Sequence, residues 1–155
     1  LTNWLAFGAG SLWVSYGKWP FRLARIDPNT NRVVKTIDLQ RADGQAALAF
    51  GSGSLWVASQ DTGQLWRIDS TTNAVVATAK LHDGWVEDIR VVSGYAWLPI
   101  ENDRAVWKVD QNGNVLKSIT TGDLPWALGS DGSRLYVGGS FTNAGSVAVI
   151  VANLS

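Results

Sequence analysis

Three observations predict an all-β fold built of four like sheets set around a common axis, a β-propeller. The tripeptide Leu12-Trp13-Val14 returns as Leu55-Trp56-Val57, then as Ala96-Trp97-Leu98 and Leu135-Tyr136-Val137, after intervals of 43, 41 and 39 residues. The segments around these marks read as strands, with apolar and polar residues alternating. Gly/Ser and Asp/Asn turns punctuate them. A period near 40 made of strands selects the propeller among repeat architectures. The units run over about 4–43, 44–84, 85–124 and 125–155.

Within each unit the first strand is expected at 5–7, 48–50, 89–91 and 126–128, closed by a tight turn that draws on glycine's positive φ at 8–11 and 51–54. The second strand is the Leu-Trp-Val segment itself. The third lies at 23–26, 65–68, 106–109 and 146–151, and its first three copies end in Asp27, Asp69 and Asp110, each opening an Asx-type reversal. The fourth runs over 33–39, 75–81 and 115–120; the last unit has no residues left for one, so fifteen strands are expected. Propellers commonly complete the last sheet with a strand from the other terminus, and residues 1–4 are too short to lend one. An open arc would leave an apolar face at each end, and large apolar faces are normally covered. The expected cover is further blades of a longer chain, a homodimer that completes an eight-blade ring, or a compact four-blade closure with an unpaired edge.

Composition narrows the function classes. The 155 residues, 46% hydrophobic, suffice for one domain with a real core. Thirteen basic residues balance thirteen acidic ones, which argues against nucleic acid or an anionic membrane as partner. The sequence has no apolar run of membrane-spanning length, so no membrane insertion is expected. Absence of cysteine removes disulfide and thiolate chemistry. Absence of methionine leads to the expectation that the chain is a piece of something longer. No Gly-x-Ser-x-Gly, Cys/His or His-Glu-x-x-His motif is present. Asp110-x-Asn112-x-Asn114 imitates a calcium loop, but Val115 stands where glycine is required; Gly8-x-Gly10 imitates a dinucleotide fingerprint, but it joins two strands.

The pattern Gly-x-Gly-Ser-Leu-Trp-Val followed by Leu-x-Arg-Ile-Asp-x-x-Thr-Asn-x-Val-Val stands at 51–57 and 65–76, with a close copy at 8–14 and 23–34. It resembles the bacterial propeller repeats grouped with NHL-like, YVTN-like and streptogramin-lyase-like proteins. The resemblance implies that the loops joining the fourth strand to the next first strand, and the second to the third, gather around the central channel where ligands bind. Those loops are 2–4, 16–21, 41–46, 61–64, 82–88, 101–104, 123–126 and 141–144. It also implies an extracytoplasmic location, since surface and sensor proteins carry such repeats. A fold of this kind hosts enzymes, sensors and scaffolds alike, so function has to be argued from the site.

The repeat sorts the nine tryptophans. Trp13, Trp56 and Trp97 share one position, with Tyr136 as the fourth copy, and Trp66 and Trp107 share another; these recur because blades pack on blades. Trp4, Trp19, Trp85 and Trp126 do not recur and fall in or beside the channel-face loops, where rigid indoles either stack on a ligand or plug the channel mouth. The richest polar stretch runs from His82 through Trp85, Glu87 and Asp88 to Arg90. Glu87 and Asp88 stand where the second unit has Ala46 and Ala47, and Arg90 replaces Ala6 and Ala49, so Arg90 is expected to pair with Glu87, Asp88 or a neighbour. His82 with Glu87 and Asp88 has the chemistry of a general base or metal ligand. Streptogramin-lyase-like enzymes combine His and Glu with a divalent cation on this face, but this chain has one histidine, so no metal or other cofactor is expected. The favoured reading is a noncatalytic binding module in which Trp4, Trp19, His82, Trp85, Glu87, Asp88, Arg90 and Trp126 recognise a small molecule, glycan or protein segment. The competing readings are a metal-dependent lyase-like or lactonase-like enzyme at the same face, and a purely structural repeat segment of a surface or sensor protein.

Overall fold

The computed structural model describes residues 4–17, 20–40, 42–81, 85–122, 124–140 and 148–150, and among them there are fifteen strands and no helix. Blade 1 consists of β1 (Leu5–Gly8), β2 (Ser11–Gly17), β3 (Phe21–Asp27) and β4 (Arg32–Asp38). Blade 2 consists of β5 (Ala46–Gly51), β6 (Ser54–Ser59), β7 (Gln64–Asp69) and β8 (Val75–Lys80). Blade 3 has β9 (Arg90–Val92), β10 (Tyr95–Ile100), β11 (Ala105–Val109) and β12 (Val115–Thr120), and blade 4 has β13 (Leu124–Ser130), β14 (Leu135–Ser140) and β15 (Ala148–Ile150). In each sheet the strands pair antiparallel in chain order, and the fourth sheet has three strands. The inner strands β1, β5, β9 and β13 pack in succession, so the sheets are arranged as propeller blades around a hub.

The local chemistry of the turns explains the strand boundaries. The hairpins β1–β2, β5–β6 and β9–β10 turn on Ala9-Gly10, Ser52-Gly53 and Ser93-Gly94, and both residues of each pair have positive φ, as at Ala9 (49°) and Gly10 (66°). This is the hand of two-residue turn that matches strand twist. Glycine therefore carries only half of the turn; Ala9, Ser52 and Ser93 adopt the left-handed region too. On the outer side, Asp27 accepts from the Asn29 N–H (2.9 Å), Asp69 from those of Thr71 (3.0 Å) and Thr72 (2.8 Å), and Asp110 from those of Asn112 and Asn114 (2.8 Å each). A register shift falls at the equivalent place in each of these three hairpins, beside Ile26, Ile68 and Val109.

Packing between blades follows one rule three times. Blade 1 turns Trp13, Leu23 and Ile37 toward Leu48, Leu55, Val57 and Trp66 of blade 2. Blade 2 turns Trp56, Ala58 and Leu65 toward Ile89, Ala96, Leu98 and Ile100 of blade 3, and blade 3 turns Trp97 and Val106 toward Leu128, Leu135 and Val137 of blade 4. The approach is close enough that a Cβ at Gly8 would overlap the Phe50 ring, and one at Gly51 would overlap Val91. Each strand-two indole carries a cation from the facing residue of the third strand. Arg25 lies 4.9 Å over Trp13, Arg67 5.9 Å over Trp56 and Lys108 5.5 Å over Trp97. Arg25 also reaches into blade 2, donating to the Ser70 carbonyl (2.7 Å) and Asn73 Oδ1 (2.8 Å). In blade 4 the corresponding pair is Tyr136 and Val149.

The two ends of the arc differ from its interior. Leu5 and Phe7 are 59% and 67% exposed, whereas Leu48 and Ile89, the counterparts of Leu5 in the next blades, are buried. No packing comparable to that between neighbouring inner strands joins β13 to β1 among the described residues.

Blade 4 also corrects one sequence alignment. Aligning 126–128 with 5–7 made Trp126 the counterpart of Leu5. The observed register pairs Leu128 with Val137, as Leu5 pairs with Val14 and Leu48 with Val57, so Leu128 holds that position. Trp126 is instead the extra residue of a bulge between Pro125 and Ala127. The cause is the β13–β14 turn, which spans residues 131–134 in place of two residues and shifts the frame by two.

Trp56 is fully enclosed between blades while Trp85 is 52% exposed. Trp56→Ala should therefore lower the unfolding free energy by about 3–5 kcal/mol, and Trp85→Ala by less than about 1 kcal/mol. Urea denaturation of both variants measures the difference; equal losses would contradict the division between packing and nonrepeating indoles.

Candidate functional site

Residues that break the repeat converge on a pocket of about 660 Å³ at the hub, lined by Trp4, Trp85, Glu87, Glu101, Asn102 and Trp126. They come from three blades. Trp4 precedes β1 and is held by two bonds to Ser15, its carbonyl accepting from the Ser15 N–H (3.1 Å) and its N–H donating to Ser15 Oγ (3.2 Å). Trp85 and Glu87 belong to the segment leading into β9, and Glu101 and Asn102 open the β10–β11 turn, which the Arg104 N–H closes onto the Glu101 carbonyl (3.0 Å). Trp126 enters through the bulge in β13, a device that re-aims a side chain without ending the strand. Its side chain and that of Trp85 are 46% and 52% exposed. Neither makes a hydrogen bond or ring contact among the described residues.

Glu87 is fixed from below. Gln60 is buried, its carbonyl accepts from the Val86 N–H (3.3 Å), and its Nε2 donates to both the Glu87 carbonyl and Glu87 Oε2 (3.3 Å each). Burial pushes the Glu87 carboxyl above the ordinary glutamate range, and the negative charges of Glu101 and Asp61 push it further in the same direction.

Asp88 and Arg90 are turned to a different task. Asp88, 5% exposed, accepts from the Ile89 N–H (2.8 Å), from Arg90 Nη1 (3.1 Å) and, across the blade boundary, from the Leu128 N–H in β13 (2.8 Å). Burial raises its pKa, opposed by the Leu128 N–H, the Arg90 charge and the Ile89 N–H. The carboxylate thus ties blade 3 to blade 4, and Arg90 pairs with it rather than facing the pocket.

Of the eight residues singled out from the sequence, the structure brings Trp4, Trp85, Glu87 and Trp126 into one pocket, sets Asp88 and Arg90 apart from it as an ion pair, and leaves Trp19 and His82 outside the described residues. Gln60 and Glu101 went unremarked as individuals. Their signal was present: Gly17, Gln60 and Glu101 hold one position, four residues after the indole, in units 1 to 3, and change from glycine to amide to carboxylate. Among the described residues no three His, Asp or Glu groups converge as a metal site.

Comparison with known proteins bears on the fold. A family model described as a repeat of unknown function (DUF6923) matches residues 2–84. No curated protein sequence matches the chain. Among solved structures, BamB from Moraxella catarrhalis superposes with a TM-score of 0.69 at 18% identity, over 87% of this chain and 39% of that one. The WD40 β-propeller domain of Doa1 gives 0.68 at 15% identity, over 88% of this chain and 47% of that one. The computationally designed Ika4 protein gives 0.74 at 13% identity, over 97% of this chain and 91% of that one. The chain thus spans less than half the length of BamB and of the Doa1 chain. At these identities the likeness shows the fold alone, a β-propeller in whole or in part.

Because the Glu87 carboxyl holds its proton more tightly folded than unfolded, its ionisation removes stability as pH rises through and above the ordinary glutamate range. Glu87→Gln should therefore be more stable than the wild type near pH 7, with the advantage absent near about pH 3.5, where both states are protonated. Thermal unfolding at the two pH values checks this; an advantage that persists at the acid end would contradict it.

Proposed function

We propose that this chain, which belongs to the DUF6923 repeat family, is a noncatalytic binding module whose ligand enters the hub pocket. One observation carries the reading: three nonrepeating indoles and two carboxylates line a single pocket, while the recurring indoles Trp13, Trp56, Trp66 and Trp97 are buried between blades. Large rigid planes with a few fixed polar groups favour recognition of a small molecule, a sugar or a side chain of another protein. A purely structural repeat has no need of such a constellation. The metal-dependent lyase-like or lactonase-like alternative requires His82 to join Glu87 and Glu101 around a cation, and half of the described lining is indole, which suits a ligand plane rather than a metal.

The test is fluorine NMR on protein labelled with fluorotryptophan, whose nine indoles are assigned by single Trp→Phe variants. Ligands from a panel of sugars, aromatic acids and amines are expected to move the resonances of Trp4, Trp85 and Trp126 and leave those of Trp13, Trp56 and Trp97 in place. A panel that moves none of the three, or turnover of a panel member that chelation abolishes, would overturn the reading.

A further inference from the structure

We infer that the hub pocket selects an organic cation of the alkylated ammonium type; the inference rests on the pocket being a binding site. Two carboxylates line it, Glu87 and Glu101, and among the described residues no lysine or arginine does. Of the described arginines nearest in sequence to the two carboxylates, Arg90 is engaged by Asp88, and Arg104 closes the turn that begins at Glu101 through its backbone N–H. The mutual repulsion of Glu87, Glu101 and Asp61 is relieved by a positive charge placed among them. The remaining lining decides what kind of cation. A compact, strongly hydrated metal ion would use only the oxygen-bearing half of the lining, Glu87, Glu101 and Asn102, and leave the other half idle, because indole offers a π face and no lone pair to a metal. An ammonium carrying methyl groups is weakly hydrated and spreads its charge over C–H bonds, so it gains from indole faces and carboxylates together. A neutral sugar would gain from the planes but leave the carboxylates uncompensated. Trp85 and Trp126 keep about half their surface exposed, which leaves their faces open to such a ligand.

The probe is choline, titrated into the full chain by calorimetry against its neutral carbon isostere and against a peptide bearing trimethyllysine. Choline should bind at least about tenfold more tightly than the isostere, and the Glu87→Gln, Glu101→Gln double variant should erase that preference. Trp85→Phe should weaken choline less than Trp85→Ala does. Preference for free choline or for the peptide identifies the source of the ammonium group. Equal binding of choline and isostere, or indole shifts with sugars and none with amines, overturns the cation while leaving the pocket a binding site. Absence of binding by amines, sugars and acids alike overturns both.

A second observation, independent of the pocket, concerns the ends of the arc. We infer that they meet the ends of a second copy. The outward face of blade 4 presents Tyr136, Ala127, Gly129 and Gly138, which by register correspond to Trp56, Ala47, Ala49 and Ala58, the blade 2 face that receives blade 3. Among the described residues, nothing from another blade lies within 4 Å of a Cβ built on Gly129 or Gly138. The opposite end offers Leu5 and Phe7, bare counterparts of residues that fill the internal interfaces. Head-to-tail pairing of two arcs repeats the internal interface at both junctions and closes the ring. Light scattering should give twice the 16.7 kDa chain mass, and Phe7→Glu should restore the single mass where Phe7→Leu does not. A monomer, or a dimer indifferent to Phe7→Glu, overturns the pairing, and further blades of a longer chain then take its place.

Discussion

The structure depends on one contact, repeated: an indole on the second strand of a blade, clamped between its own sheet and the next. Burial of so large a plane removes more apolar surface from water than any other side chain in the unit, and it does so at the boundary that holds neighbouring sheets in place. The cation laid over each ring adds an electrostatic attraction to the ring face. For Arg25 and Arg67 the same side chain reaches the turn of the next blade, bonding Ser70 and Asn73 from blade 1 and Gln111 (3.5 Å) from blade 2. Sheet pairing, blade spacing and the close approach at Gly8 and Gly51 all follow from seating that contact.

Such a scaffold frees the positions that do not take part. At the hub, where loops from successive blades meet, the chain replaces the alanines of blade 2 with Glu87 and Asp88 in blade 3. The two neighbours diverge in use. Asp88 points along the blade boundary and becomes a staple to Leu128; Glu87, one residue earlier and on the other side of the chain, looks into the pocket with Gln60 behind it. Alternation of side chains along an extended segment turns them to opposite sides, and the Leu128 N–H fixes Asp88 on its side.

Much of this was legible in the sequence because it repeats. The recurrent Trp13, Trp56 and Trp97 and the Asp turns each announce themselves by position, and the structure has a strand at each expected place. What periodicity conceals is any residue that enters outside the frame. Trp126 looked like the start of a strand because a turn lengthened by two residues mimicked a simple shift, and only the pairing of Leu128 with Val137 reveals the bulge that aims the indole. The departure of Gln60 from Gly17 marks its position, but its support of a carboxylate 27 residues away leaves no local pattern to read. The separation of Asp88 from the pocket likewise depends on a hydrogen bond to a strand 40 residues on.

The central claim is that the recurring side chains carry stability and the nonrepeating ones at the hub are spared from it. Hydrogen exchange measured on the wild type and on the Trp85→Ala, Trp126→Ala double variant tests it most directly. The expected result is unchanged protection of the amides in β6, β7 and β10, with any loss confined to the segment before β9 and to the bulge in β13. Collapse of protection in β6, β7 and β10 would show that the hub indoles hold the blades together, and would contradict the claim.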